Sequence, residues 1–91
     1  MSEDVVHDRK AAQFSMVVEG HRCVLDYRRD GSVLSLDSVR VPKAVGGRGI
    51  AGKLTRHALD WARAHDLSIR PVCPYVSTWI QRHSSYADLV V

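Results

Sequence analysis

Apolar and polar positions alternate with a period of two through the first half of the chain, then recur every three to four residues through much of the second. Phe14 to Glu19 is extended-prone, and Gly20-His21 follows as a tight turn. From Arg22 to Arg29, Cys23, Leu25 and Tyr27 lie on one face, against Arg22, Val24, Asp26 and Arg28 on the other. Asp30-Gly31 is a hairpin-turn signal. Ser32 to Val41 alternates again, with Leu34, Leu36 and Ser38 opposite Val33, Val39 and Val41. The three segments predict an antiparallel meander. Pro42, which cannot donate to a ladder, ends its third strand.

A helix is expected from Gly47 to His65, where Ile50, Ala51, Leu54, Ala58, Trp61 and Ala62 make one apolar stripe. Ser68 to Pro74 reads as a short apolar strand reached by that crossover helix, and so parallel to the third strand. Tyr75 to Arg82 predicts a second helix burying Val76, Trp79 and Ile80, and His83 to Val91 closes the chain with Tyr86 and an apolar end. Met1 to Ala12 is expected to be a loose tail, with Val5-Val6 tucked against the domain, leaving one domain over residues 13–91. The fold class is α/β (α+β): a mixed, mostly antiparallel sheet in the order β-β-β-α-β-α, with helices packed on it.

Composition narrows the setting. The chain has 91 residues, 45% hydrophobic and 25% charged, which is ordinary for one globular domain. No apolar run approaches the ~20 residues that cross a bilayer, and the polar start has no signal core, so a cytoplasmic protein is expected. Cys23 and Cys73 fit neither a metal pattern nor a disulfide framework, and His7, His21, His57 and His65 have no mutual metal spacing, so no metal is expected. The net charge of +3 is spread over scattered Lys and Arg, with no aromatic-studded basic stripe. An anionic cofactor suits that charge better than nucleic acid does.

The richest chemistry lies between strand and helix. Gly46-Gly47-Arg48-Gly49-Ile50-Ala51-Gly52-Lys53 packs four glycines into seven residues at a helix start. Glycines let the backbone approach a ligand closely, and the helix start adds orphan N–H donors and the positive end of the dipole. Such a place binds anions, most naturally a phosphate or pyrophosphate of a nucleotide-like cofactor.

This turn resembles the acyl-CoA motif of the GNAT superfamily of N-acetyltransferases, Arg/Gln-x-x-Gly-x-Gly/Ala. Gly49 and Ala51 match it, and Gly46 stands where a basic or amide residue is usual. The leading Val41-Pro42, the helix end Ala58-Leu59-Asp60-Trp61-Ala62-Arg63, Pro71-Val72-Cys73-Pro74-Tyr75-Val76 and Arg82-His83-Ser84-Ser85-Tyr86 extend the likeness from about Val6 to Leu89. The chain is thereby similar to the small, stand-alone GNAT-like N-acetyltransferase domains. That resemblance implies acetyl-CoA as cosubstrate and transfer of its acetyl group to a primary amine of a small molecule or protein. A catalytically weak CoA-binding or protein-interaction module of the same fold is the alternative, and a monomer or weak dimer is expected.

Site residues follow from the resemblance. The amides of Gly46, Gly47, Arg48, Gly49, Ile50 and Ala51 would take the pyrophosphate, with Arg48 and Lys53 adding charge and Gly52 in the same cofactor-binding turn, and any side chain at Gly49 would block close approach. In the superfamily the strand before the turn splays from its neighbour, so Val39 and Val41 would meet the pantetheine arm through their main chain. Cys73 is either an acyl-accepting nucleophile, a thiol lining the acetyl pocket, or an inert buried cysteine. In direct transfer the base would be His83, Asp37 or Asp26 and the acid Tyr75 or Tyr86.

Overall fold

In the computed structural model, which describes residues 4–91, alternation produces the strands and the three-to-four period the helices. The order is β1 (Val6–Asp8), β2 (Gln13–Val18), β3 (His21–Asp30), β4 (Val33–Arg40), α1 (Ile50–Ala64), β5 (Ser68–Pro71) and α2 (Pro74–Arg82). Short 3-10 turns lie at Lys43–Val45 and Ser84–Leu89. Among the described residues the strands form one sheet in sequence order, antiparallel throughout except for the parallel pair β4–β5.

Phe14, Met16, Val18, Cys23, Leu25, Tyr27, Leu34, Leu36 and Ile69 point to one face of the sheet, and both helices cover that face. Leu54, Ala58, Leu59 and Ala62 of α1 and Val76, Trp79 and Ile80 of α2 pack onto it in the same core. The buried stripe of α1 is rotated from the expected one. Thr55 and Leu59 are buried while Ala51 and Trp61 are half-covered, and the Thr55 hydroxyl is satisfied by donating to the Ala51 carbonyl at 2.8 Å. Among the described residues no helix covers the opposite face. It carries hydrogen-bonded polar side chains, Gln13 to Asp26 at 2.8 Å, Arg28 to Asp37 at 2.6 Å and Arg70 to Ser35 at 3.1 Å.

Four further expectations are corrected. Part of the supposedly loose tail is a strand: Val6 pairs with Ser15 and Asp8 with Gln13. Three residues are too few to show a period, and the anchor is a histidine, His7, stacked 4.0 Å from Phe14. Residues 1–3 of that tail lie outside the described residues. Helix α1 begins at Ile50 rather than Gly47, because Gly47 and Gly49 hold φ of 76° and 74°, outside the right-handed helical region. Strand β5 stops at Pro71, and the Cys73 amide instead donates to the Leu36 carbonyl at 2.9 Å.

The fourth correction concerns β4. Tyr27 lies opposite Leu36 and Asp26 opposite Ser38, so Asp37 is an extra residue, a β-bulge. The bulge resets the alternation. Val39 faces Leu25 and joins Leu34 and Leu36 on the helix side, whereas Ser38 turns to the bare face and donates to Asp26 at 3.0 Å. At the far edge the chain end adds a parallel bridge from Val90 to Ile69, beyond the buried Tyr86 and Leu89.

Candidate active site

The glycine turn is fixed from both sides. Val45 is fully buried in front of it, and α1 starts immediately behind. Gly49 is the N-cap in the left-handed conformation, which glycine adopts without a steric penalty. The first intrahelical bond runs from the Lys53 N–H to the Gly49 carbonyl at 3.0 Å, so the amides of Ile50, Ala51 and Gly52 have no intrahelical partner. No acidic residue sits in this first turn to offset the positive dipole end. Arg48, expected to lend charge to a ligand, makes a bidentate pair with Glu19 at 2.8 and 3.2 Å. That hydrogen bond and the guanidinium charge hold the Glu19 carboxyl below its usual range, and they tie the turn to the β2–β3 hairpin.

Beside the turn, β4 outruns its partner. Pairing with β5 covers only Val33 to Leu36, and the Cys73 amide closes it. The Tyr27 amide points to the β2 side, donating to Ala12, so by alternation Leu25 does too, and Asp26 and Val24 bond toward β4. Val39, opposite Leu25, therefore turns its N–H and C=O away from β3, into the gap that β5 leaves. Val41, two residues on, lines a groove of about 270 Å³ with Gly46, Gly47, Gly49, Ile50, Ala51 and Tyr75. A larger groove of about 640 Å³ lies between α1 and α2, and Gly49 and Tyr75 border both. Gly52 lets the helices close over its floor: a Cβ there would lie 3.1 Å from Trp79 Nε1 and 3.4 Å from the Tyr75 hydroxyl.

Of the three catalytic candidates, Tyr75 and His83 share the larger groove and Cys73 stands apart from it. Tyr75, on the first turn of α2, is exposed where the two grooves meet. His83 lines the larger groove, its ring stacked 3.7 Å from Trp79 and its Nδ1 2.7 Å from the Trp79 carbonyl. A carbonyl accepts only, so in the neutral ring Nδ1 carries the proton and Nε2 is the basic nitrogen. Cys73 is the buried N-cap residue of α2 and lines neither groove. Asp37 and Asp26 lie on the bare face, paired with Arg28 at 2.6 Å and Arg40 at 2.9 Å. Tyr86 is buried and donates to Asp60 at 2.7 Å, a bond that pushes its pKa up.

Sequence reasoning passed over Arg56, His57, Thr78 and Arg82, which line the larger groove. The signal was present as two matching polar stripes, 53-56-57 on α1 and 75-78-82 on α2, at the three-to-four spacing that sets side chains above one another. Among the described residues no helix is long and apolar enough to cross a membrane, and no three His, Cys, Asp or Glu gather as a metal site.

Comparison with known proteins bears on the family and the fold. Protein NATD1 of chicken is 37% identical over 82 residues, covering 87% of this chain and 74% of the relative. The human protein of that name is 35% identical, with 87% and 73% covered, and the zebrafish one 32% identical over 92 residues, with 96% and 84% covered. An NMR solution structure of a GCN5-like protein from Staphylococcus aureus superposes with a TM-score of 0.75, covering 100% of this chain and 91% of its own, at 22% identity. The profile of the GCN5-related N-acetyl-transferase family matches residues 13–89, and the chain belongs to that family.

Proposed function

We propose that this protein binds acetyl-CoA and transfers its acetyl group to a primary amine. The observation that carries the reading is the adjacency of two features: an unneutralised helix start with three amides lacking intrahelical partners, and a β4 edge freed by the stop of β5. The first suits a pyrophosphate. The second suits an extended amide-bearing chain, which can add to a strand edge through main-chain hydrogen bonds. Pantetheine is such a chain, and in CoA it is attached to a pyrophosphate.

In the reaction the amine nitrogen attacks the thioester carbonyl carbon, the C–S bond breaks, and the departing sulfur accepts a proton while the new amide nitrogen loses one. Tyr75, exposed at the junction of the grooves, is the candidate to protonate the sulfur. His83 Nε2 is the candidate to accept the amine proton, through water. Direct transfer is favoured over an acyl-enzyme because Cys73 is buried and borders neither groove.

Thermal unfolding with acetyl-CoA tests the binding half. At roughly a hundred times its Kd the ligand stabilises by about 2.7 kcal/mol, so Tm should rise by about 10 °C or more in a domain of this size. No shift with acetyl-CoA or CoA overturns the reading. Thiol release with a panel of small amines and lysine peptides tests the chemistry, and Tyr75→Phe should lower kcat by about a hundredfold with little change in acetyl-CoA affinity. A clear Tm shift without thiol release on any acceptor would favour the binding-module alternative.

A further inference from the structure

The groove between the helices offers anion chemistry that the glycine turn does not use. Lys53 and Arg56 of α1 and Arg82 of α2 line it with His57 and His83, and none of its lining residues is acidic. Arg56 is held in a particular way. Its guanidinium carbon lies 5.3 Å from the centre of the Trp79 ring and 5.9 Å from that of Tyr86, with one N–H 3.5 Å from the Tyr86 hydroxyl. Tyr86 is itself fixed by donating to Asp60 at 2.7 Å. Aromatic faces stabilise the cation without consuming its N–H donors, and a guanidinium oriented before a ligand arrives loses less freedom on binding.

We propose that Arg56, flanked by Lys53 and Arg82, reads the ribose 3′-phosphate of CoA, so that the protein discriminates CoA from 3′-dephospho-CoA. The inference rests on the acetyl-CoA reading above and adds to it. CoA carries two separated anionic groups, the pyrophosphate and the 3′-phosphate. This chain presents two separated anion-binding places, one of backbone amides and one of side chains, joined at Gly49 and Tyr75. A dinucleotide with a pyrophosphate alone would leave the second without a counterpart. A phosphate monoester takes a planar guanidinium in bidentate fashion, a stronger contact than a neutral hydrogen bond.

Isothermal titration of the wild type, Arg56→Gln and Arg82→Gln with CoA and with 3′-dephospho-CoA tests the assignment. The wild type should bind CoA about tenfold or more tightly than 3′-dephospho-CoA. Arg56→Gln should bring the two ligands to within about threefold by weakening CoA alone, and Arg82→Gln should give a smaller loss in the same sense. Equal binding of both ligands by the wild type overturns the proposal and leaves the acetyl-CoA reading standing. Binding of neither overturns both. Arg56→Gln weakening both ligands equally would make Arg56 a structural residue and also overturns the proposal. Should Arg56→Gln fail to fold, Arg82→Gln carries the comparison, since Arg82 is exposed and outside the core.

Discussion

His7 occupies an unusual place for an ionisable side chain. It is stacked on Phe14 at 4.0 Å, edge-on to Trp61 at 4.7 Å, and 2.6 Å from the Tyr27 hydroxyl. Burial, then the charges of Arg9 and His65, hold its pKa below 6.5, with Asp8 opposing them weakly. Burial also raises the Tyr27 pKa, so the phenol keeps its proton to donate to a neutral imidazole. The unfolded chain therefore takes up a proton at His7 before the folded one does. This contribution to stability is fully present above about pH 6.5 and is lost as pH falls through the folded-state pKa. Tm measured from pH 7.5 to 5 should decline, and His7→Phe, which keeps the stacking but cannot titrate, should decline less steeply. Parallel curves for the two proteins would remove His7 as the cause.

Among the elements, the start of α1 separates two demands on glycine. A Cβ on Gly49 would meet no protein atom within 4 Å, so the protein's own packing leaves that space open, and the residue is required by its φ of 74°. An L-alanine strains the backbone, whereas D-alanine favours positive φ and adds only a methyl group. Chemical synthesis with D-alanine at Gly49 should preserve or raise Tm and still weaken acetyl-CoA by about tenfold or more, if the ligand passes where the methyl stands. Unchanged affinity would show that the glycine serves conformation alone. The turn was legible in sequence because glycine spacing and a following apolar stripe are local signals. The Asp37 bulge was not, since an extra residue shows only against its partner strand, and it moved Val39 and Ser38 to the faces opposite those expected. The larger groove escaped for the same reason: each polar stripe is visible along its own helix, but their convergence depends on Gly52 letting α2 approach.

At the scale of the molecule, a single layer of helices covers one face of the sheet, and the gap beside β4 exists because a crossover returns β5 parallel and short. That topology also orders events in time. The β2–β3 and β3–β4 hairpins close over two-residue turns, while β4–β5 pairing must wait for the whole α1 crossover to be enclosed, at a larger loop entropy. The meander should thus be in place at the folding barrier and the β4–β5 junction should form after it. A molecule lodged at that junction would contact groups not yet assembled when the barrier is crossed. Acetyl-CoA should accordingly slow the unfolding arm of a chevron and leave the refolding arm unchanged. An accelerated refolding arm would place the crossover before the barrier. With the expected order, bound acetyl-CoA would act as a latch on the finished domain, lengthening its lifetime without hastening its birth.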